Sequence, residues 1–105
     1  MTILDALKSK IKYPMTVDFF LSILIDRGLN GDEEYTTSVA TSKEFKGARA
    51  DSLIELIDTP NISEGSVSIS VADKASIIVV ANRLYRELGE PLYEKPQPKV
   101  TAYYE

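Results

Sequence analysis

Apolar residues recur along most of this chain at the spacing of helices buried on one side, and the pattern breaks at prolines and glycines. Ile3, Leu7 and Ile11 share one stripe, widened by Leu4, which predicts a first helix from about Ile3 to Lys12. Thr2 followed by Asp5 has the form of a capping box, each side chain placed to satisfy a free amide of the first turn. Lys8, Lys10 and Lys12 suit the negative pole of that helix. Pro14 should end it, because the residue before a proline is pushed out of helical angles.

A second helix is predicted from about Val17 to Arg27, with Thr16 as N-cap and Gly28 as a left-handed stop. Asp18, Ser22 and Asp26 form one narrow polar stripe. Val17, Phe19, Phe20, Leu21, Ile23, Leu24 and Ile25 occupy the rest. A helix this apolar is either the centre of a core or half of a subunit interface. From Leu29 to Ala40 the periodicity fades into a loop with room for a helical turn. The run Asp32, Glu33, Glu34 lacks the alternation and glycine of a calcium loop and reads as solvated.

A third helix should span about Ser42 to Asp58, opened by a Thr41–Glu44 capping box. Phe45, Ala48, Ala50, Leu53, Leu56 and Ile57 form its apolar arc, with Glu44, Asp51, Glu55 and Asp58 gathered on the opposite side. Gly47 costs such a helix about 1 kcal/mol relative to alanine, unless it permits close approach of another element. Thr59 and Pro60 close the helix and Asn61 to Gly65 reads as a turn. Ser66, Ser68 and Ser70 then alternate with Val67, Ile69 and Val71, a strand-like period whose edge needs a partner.

The fourth helix starts after Ser70, which pairs with Asp73 as a cap, and runs to Leu88 before Gly89. Ile77, Ile78, Val80, Ala81, Leu84, Tyr85 and Leu88 face inward; Asn82, Arg83 and Arg86 face outward with Val79 among them. Pro91, Pro96 and Pro98 then favour an extended run ending in VTAYYE. The expected fold is mainly α: a compact bundle of about four helices over residues 1–90, with an extended or short β segment near 66–71. A Pro-rich extended tail follows over 91–105.

Composition narrows the chemistry. The 105 residues suit one domain, and a net charge of −4 argues against duplex nucleic acid, which needs clustered Lys and Arg. Cysteine and histidine are both absent, which removes disulfides, thiol and histidine catalysis and Cys/His zinc sites. The serines have no base and no nucleophile elbow around them. The four carboxylates of the third helix read as a solvated or partner-facing stripe rather than an acid pair or metal ladder. No apolar run approaches the roughly 20 residues that span a bilayer. The residues thus point to a soluble, intracellular, non-enzymatic protein with no cofactor, metal or small-molecule ligand.

The short N-terminal helix, the helix ending in ILIDRGLN, the stretch KGARADSLIELIDTPNISEGSVSISVADK and the ending ANRLYRELGEP resemble small proteins of Bacteroidetes prophages. Those proteins are similar to the head–tail connector (adaptor) components of tailed phages. The resemblance covers roughly residues 1–90 and carries no catalytic residue. It implies a structural subunit that assembles as a ring with copies of itself and meets neighbouring portal or tail proteins. It further implies the bacterial cytoplasm during assembly and the virion afterwards, with no membrane or specific nucleic acid as partner. Within that picture, Glu44, Asp51, Glu55 and Asp58 are the candidate acidic side of a protein interface, and Val79, Arg83 and Arg86 its basic, apolar side. The alternative is a small acidic regulatory or inhibitor-type module that binds another protein.

Overall fold

Every free amide at the start of the first helix finds an acceptor, and that fixes how the N-terminal half closes on itself. In the computed structural model, which describes residues 1–13, 15–58 and 71–94, α1 runs Ile3–Lys10. The Thr2 hydroxyl accepts from the Asp5 amide at 3.1 Å. The Ile3 and Leu4 amides donate to the carbonyls of Glu33 (2.8 Å) and Gly31 (3.0 Å), while Tyr35 donates back to Met1. The acidic loop is therefore tied to the chain's beginning as well as being solvated, and it joins Thr2 to Glu34 by a single antiparallel bridge. Helix α1 ends two residues before the expected Lys12. Ile11 turns extended and is 5% exposed, buried by leaving the helix.

Helix α2 spans Val17–Asp26, with the Thr16 hydroxyl accepting from the Phe19 amide at 3.2 Å. The loop does contain a helical turn, α3, Thr37–Ala40, capped by Thr36. This turn moves the next cap. Thr41 closes α3, its amide and hydroxyl both donating to the Thr37 carbonyl, so the Ser42 hydroxyl accepts from the Phe45 amide instead. Helix α4 is accordingly Lys43–Asp58, and the expected Thr41–Glu44 box is replaced by Ser42. Helix α5 is Val71–Leu88. The expected Pro14 break, the turn and alternating segment over 59–70 with the Ser70 cap, and the tail from 95 onward lie outside the described residues. So do the side chains of Asp58 and Val71. Val71, read as the last position of the alternation, opens α5.

The architecture is mainly helical, and α4 is its middle layer. Phe45, Ala48 and Leu56 pack with Ile3, Leu7, Phe20 and Leu24 in a core shared with α1 and α2. Ala50 and Ile54 pack against Ala81, Leu84 and Tyr85 of α5. Leu53 touches both clusters. An α-helix covered on two sides has no single apolar stripe, which is why its arc looks so broad in sequence. Ser52, fully buried, meets its hydrogen-bonding need by donating to the Ala48 carbonyl at 2.8 Å. Burial of a side chain such as Phe20 or Leu24 contributes about 2–3 kcal/mol.

Helices α2 and α5 stop in the same way. Gly28 (φ 78°) and Gly89 (φ 73°) adopt the left-handed conformation that glycine reaches without a Cβ penalty. Leu29 and Glu90 then donate back to the carbonyls of Leu24 and Tyr85, both at 2.9 Å, which completes a Schellman motif at each end. Beyond α5, residues 91–94 turn back along it. The Tyr93 amide donates to Asn82 Oδ1 at 2.7 Å, and Asn82 Nδ2 donates to the Tyr93 carbonyl at 3.1 Å. Asn82, expected to face solvent, holds the start of the tail.

Candidate interaction surfaces

The two Schellman ends meet at one side chain. Arg27, the residue before Gly28, donates from Nε and Nη2 to Asp51 of α4 at 2.7 and 3.0 Å. It donates from Nη1 and Nη2 to Glu90 at 2.7 and 2.9 Å. Two planar forks are thereby matched to one guanidinium, the strongest arrangement available to this side chain. Tyr85 of α5 adds a third helix, its hydroxyl donating to Asp51 Oδ1 at 2.7 Å. The guanidinium lies against Gly47: a Cβ there would fall within 2.7 Å of the Arg27 Nε and within 2.5 Å of Nη1. Gly47 is the close approach its position in a helix suggested.

The electrostatics of this cluster favour permanence. Its hydrogen bonds to Glu90 and Asp51 raise the Arg27 pKa further above an already high value. The same contact lowers the Glu90 carboxyl below its ordinary 4.5. Burial, then the bond to Asp51, raises the Tyr85 hydroxyl above its ordinary 10.0, away from the range useful for proton exchange near neutrality. Four of the five guanidinium donors are engaged, which leaves little for a ligand. The cluster locks α2, α4, α5 and Glu90, the residue just past the Gly89 stop, together.

Asp51 therefore departs from the expected outward carboxylate face. It sits between the two packed sides of α4 and is held by Arg27 and Tyr85. Glu44 and Glu55 are exposed on α4, as the wheel implied. The opposite candidate surface stays intact. Val79 is 68% exposed, and Arg83 and Arg86 are exposed beside it with no acidic partner among the described residues. Ala72 and Ala75 continue the same face toward the start of α5.

Two of the depressions among the described residues bear on the candidate surfaces. One, of about 510 Å³, is lined by Leu4 of α1, Val17, Leu21 and Ile25 of α2, and the Leu29–Asp32 turn. Ile25 is 68% exposed within it. The second, of about 230 Å³, gathers Lys10, Lys12 and Arg49 around Tyr13 and Asp73. The Tyr13 hydroxyl donates to Asp73 at 3.3 Å, and burial together with that carboxylate raises its pKa. The Arg49 Nε is buried there without a hydrogen-bond partner.

Arg27 and Glu90 carry no local signature, because their pairing joins positions 63 residues apart. The one hint was Gly47, a glycine that only a close neighbour justifies inside a helix. The α2 depression was foreshadowed by that helix's excess of apolar residues. Among the described residues, no three carboxylates converge as a metal site, and no helix is long and apolar enough to cross a membrane. Residues 1–104 match the family of unknown function DUF6706, and the chain belongs to that family. No match was found to a curated protein or to a solved structure.

Proposed function

We propose that this member of DUF6706 is a non-enzymatic structural subunit, a head–tail connector-like adaptor that works by binding copies of itself and neighbouring portal or tail proteins. The observation that carries the reading is the outer face of α5. Val79 stands exposed opposite the residues that bind α5 to α4, with Arg86 beside it and Arg83 at the edge of that face, where it lines a depression shared with Phe45, Lys46 and Arg49 of α4. Arginine flanking an exposed apolar residue is the composition enriched where proteins meet. The resemblance of residues 1–90 to connector components supplies the partner class.

The internal chemistry supports the same reading. The most elaborate polar cluster among the described residues, around Arg27, is consumed in joining helices. A subunit that bears load between neighbours needs such a rigid interior, since its faces must keep their relative orientation. Native mass spectrometry of the purified chain, alone and with the products of its neighbouring genes, tests the proposal. The expected result is a multi-subunit species and a complex with a portal or tail protein. A chain that remains monomeric and binds neither overturns it.

A further inference from the structure

We infer that the α2 depression is the docking site for the outer face of α5 on a second copy of this chain, so that copies join head to tail. This deepens the assembly reading above and rests on it. The depression offers an apolar floor of Leu4, Val17, Leu21, Ile25 and Leu29. Asp32 lines the depression and Asp18 is exposed on α2 at its flank, with Asp26 exposed further round the same helix; none has a cationic partner among the described residues, and no basic residue lines the depression.

The α5 face is its complement. A small apolar strip, Ala72, Ala75 and Val79, leads into two exposed arginines, Arg83 and Arg86. At 1.5 Å per residue, Val17 to Ile25 covers about 12 Å and the apolar strip from Ala72 to Val79 about 10 Å, so the apolar parts of the two faces match in length. Apolar surface meets apolar surface while the arginines reach the aspartates.

Charge selects the geometry. Pairing α2 with α2 would set aspartates near aspartates, and pairing α5 with α5 in parallel would set arginines against arginines, both repulsive, while an antiparallel α5 pair would leave the arginines facing alanines with no opposite charge. Only unlike faces attract. Helices α2 and α5 also pack on different sides of α4, so one subunit can present its depression to one neighbour and its α5 face to another. A heterologous contact of this kind continues from copy to copy and closes where the rotation allows.

Ile25→Arg and Val79→Glu test this, both at positions 68% exposed and so compatible with folding, which circular dichroism checks. Sedimentation over a concentration series should show the native chain self-associating and each variant weakened at least about tenfold. Mixing the variants is the decisive step. Ile25→Arg keeps a native α5 face and Val79→Glu keeps a native α2 depression, so the equimolar mixture should regain the association that either variant alone lacks. A mixture that stays monomeric overturns the inference, as does either variant assembling like the native chain. If the native chain assembles and neither variant disturbs it, the docking site is wrong while the adaptor reading survives. A native chain that is monomeric alone but binds portal or tail proteins also overturns the docking and leaves that reading standing.

Discussion

Arginine occupies two kinds of place in this molecule. Arg27 is enclosed by Asp51 and Glu90, with four donors engaged and Gly47 against its plane. Arg83 and Arg86 stand on the outside of α5, with no acidic partner among the described residues. The sequence gives the two sites similar credentials, since each arginine lies in the last turns of a helix that ends at a glycine. Their surroundings separate them. A guanidinium whose hydrogen bonds close within the chain is architecture, and one left open beside an exposed valine is available to another molecule.

The largest effect expected from breaking this contrast is at Arg27. Alanine there leaves Asp51 without its fork and Glu90 without a partner, while three helices and the residue that follows α5's glycine stop lose their common tie. Loss of one partner from a fully buried pair costs 3–5 kcal/mol, and the partial exposure of Glu90, 36%, reduces that to about 2–3 kcal/mol. Urea unfolding of Arg27→Ala measures it. A change under about 0.5 kcal/mol would show that the cluster decorates the fold rather than holding it.

Gly47 sharpens the point because its sign should reverse. In a free helix, Gly→Ala stabilises by up to about 1 kcal/mol. Here the new Cβ displaces the guanidinium, and Gly47→Ala should destabilise by about 1–2 kcal/mol. In an Arg27→Ala background the obstruction is gone, and the same substitution should become stabilising. A double-mutant cycle by thermal unfolding reads the coupling directly. Tyr85→Phe, which removes the 2.7 Å bond to Asp51, should cost about 1 kcal/mol.

The same cluster should mark both limbs of the pH–stability curve. Glu90 has its folded pKa lowered from 4.5, so its contribution is complete above 4.5 and is lost as pH falls through the folded value. Tyr85 has its folded pKa raised from 10.0, so its contribution is complete below 10 and declines as pH rises beyond it. Glu90→Gln should flatten the acid limb and Tyr85→Phe the alkaline one. Unchanged limbs in both variants would mean that other groups dominate the titration.

What was readable in the sequence was local. Thr2 and Thr16 cap the helices they precede, Gly28 and Gly89 stop theirs, and the inward face of α5 follows its period, all within a few residues of chain. Even the shift from Thr41 to Ser42 is a local contest, lost when a helical turn claimed Thr41. The Arg27 cluster was not readable, because three of its members fall in separate segments and each has an ordinary local explanation. Asp51 belongs to a carboxylate stripe by its angle on a wheel. It turns inward only because α4 is covered on two sides, and that layering is a tertiary fact. The outer face of α5 was readable for the opposite reason: exposure of Val79, Arg83 and Arg86 follows from helical period alone.

The smallest stability effect is expected at that face, and its smallness carries meaning. Replacing Arg83 and Arg86 together by glutamate removes no hydrogen bond found among the described residues and uncovers no apolar core. The unfolding midpoint should shift by no more than about 0.5 kcal/mol equivalent. If those charges orient a neighbouring subunit, the same double variant should lose assembly at low salt, where the native chain's dependence on ionic strength is steepest. A variant as stable as the native chain, yet unable to assemble, would set the two classes of arginine apart. A variant that unfolds readily would instead place Arg83 and Arg86 with Arg27, as part of the architecture.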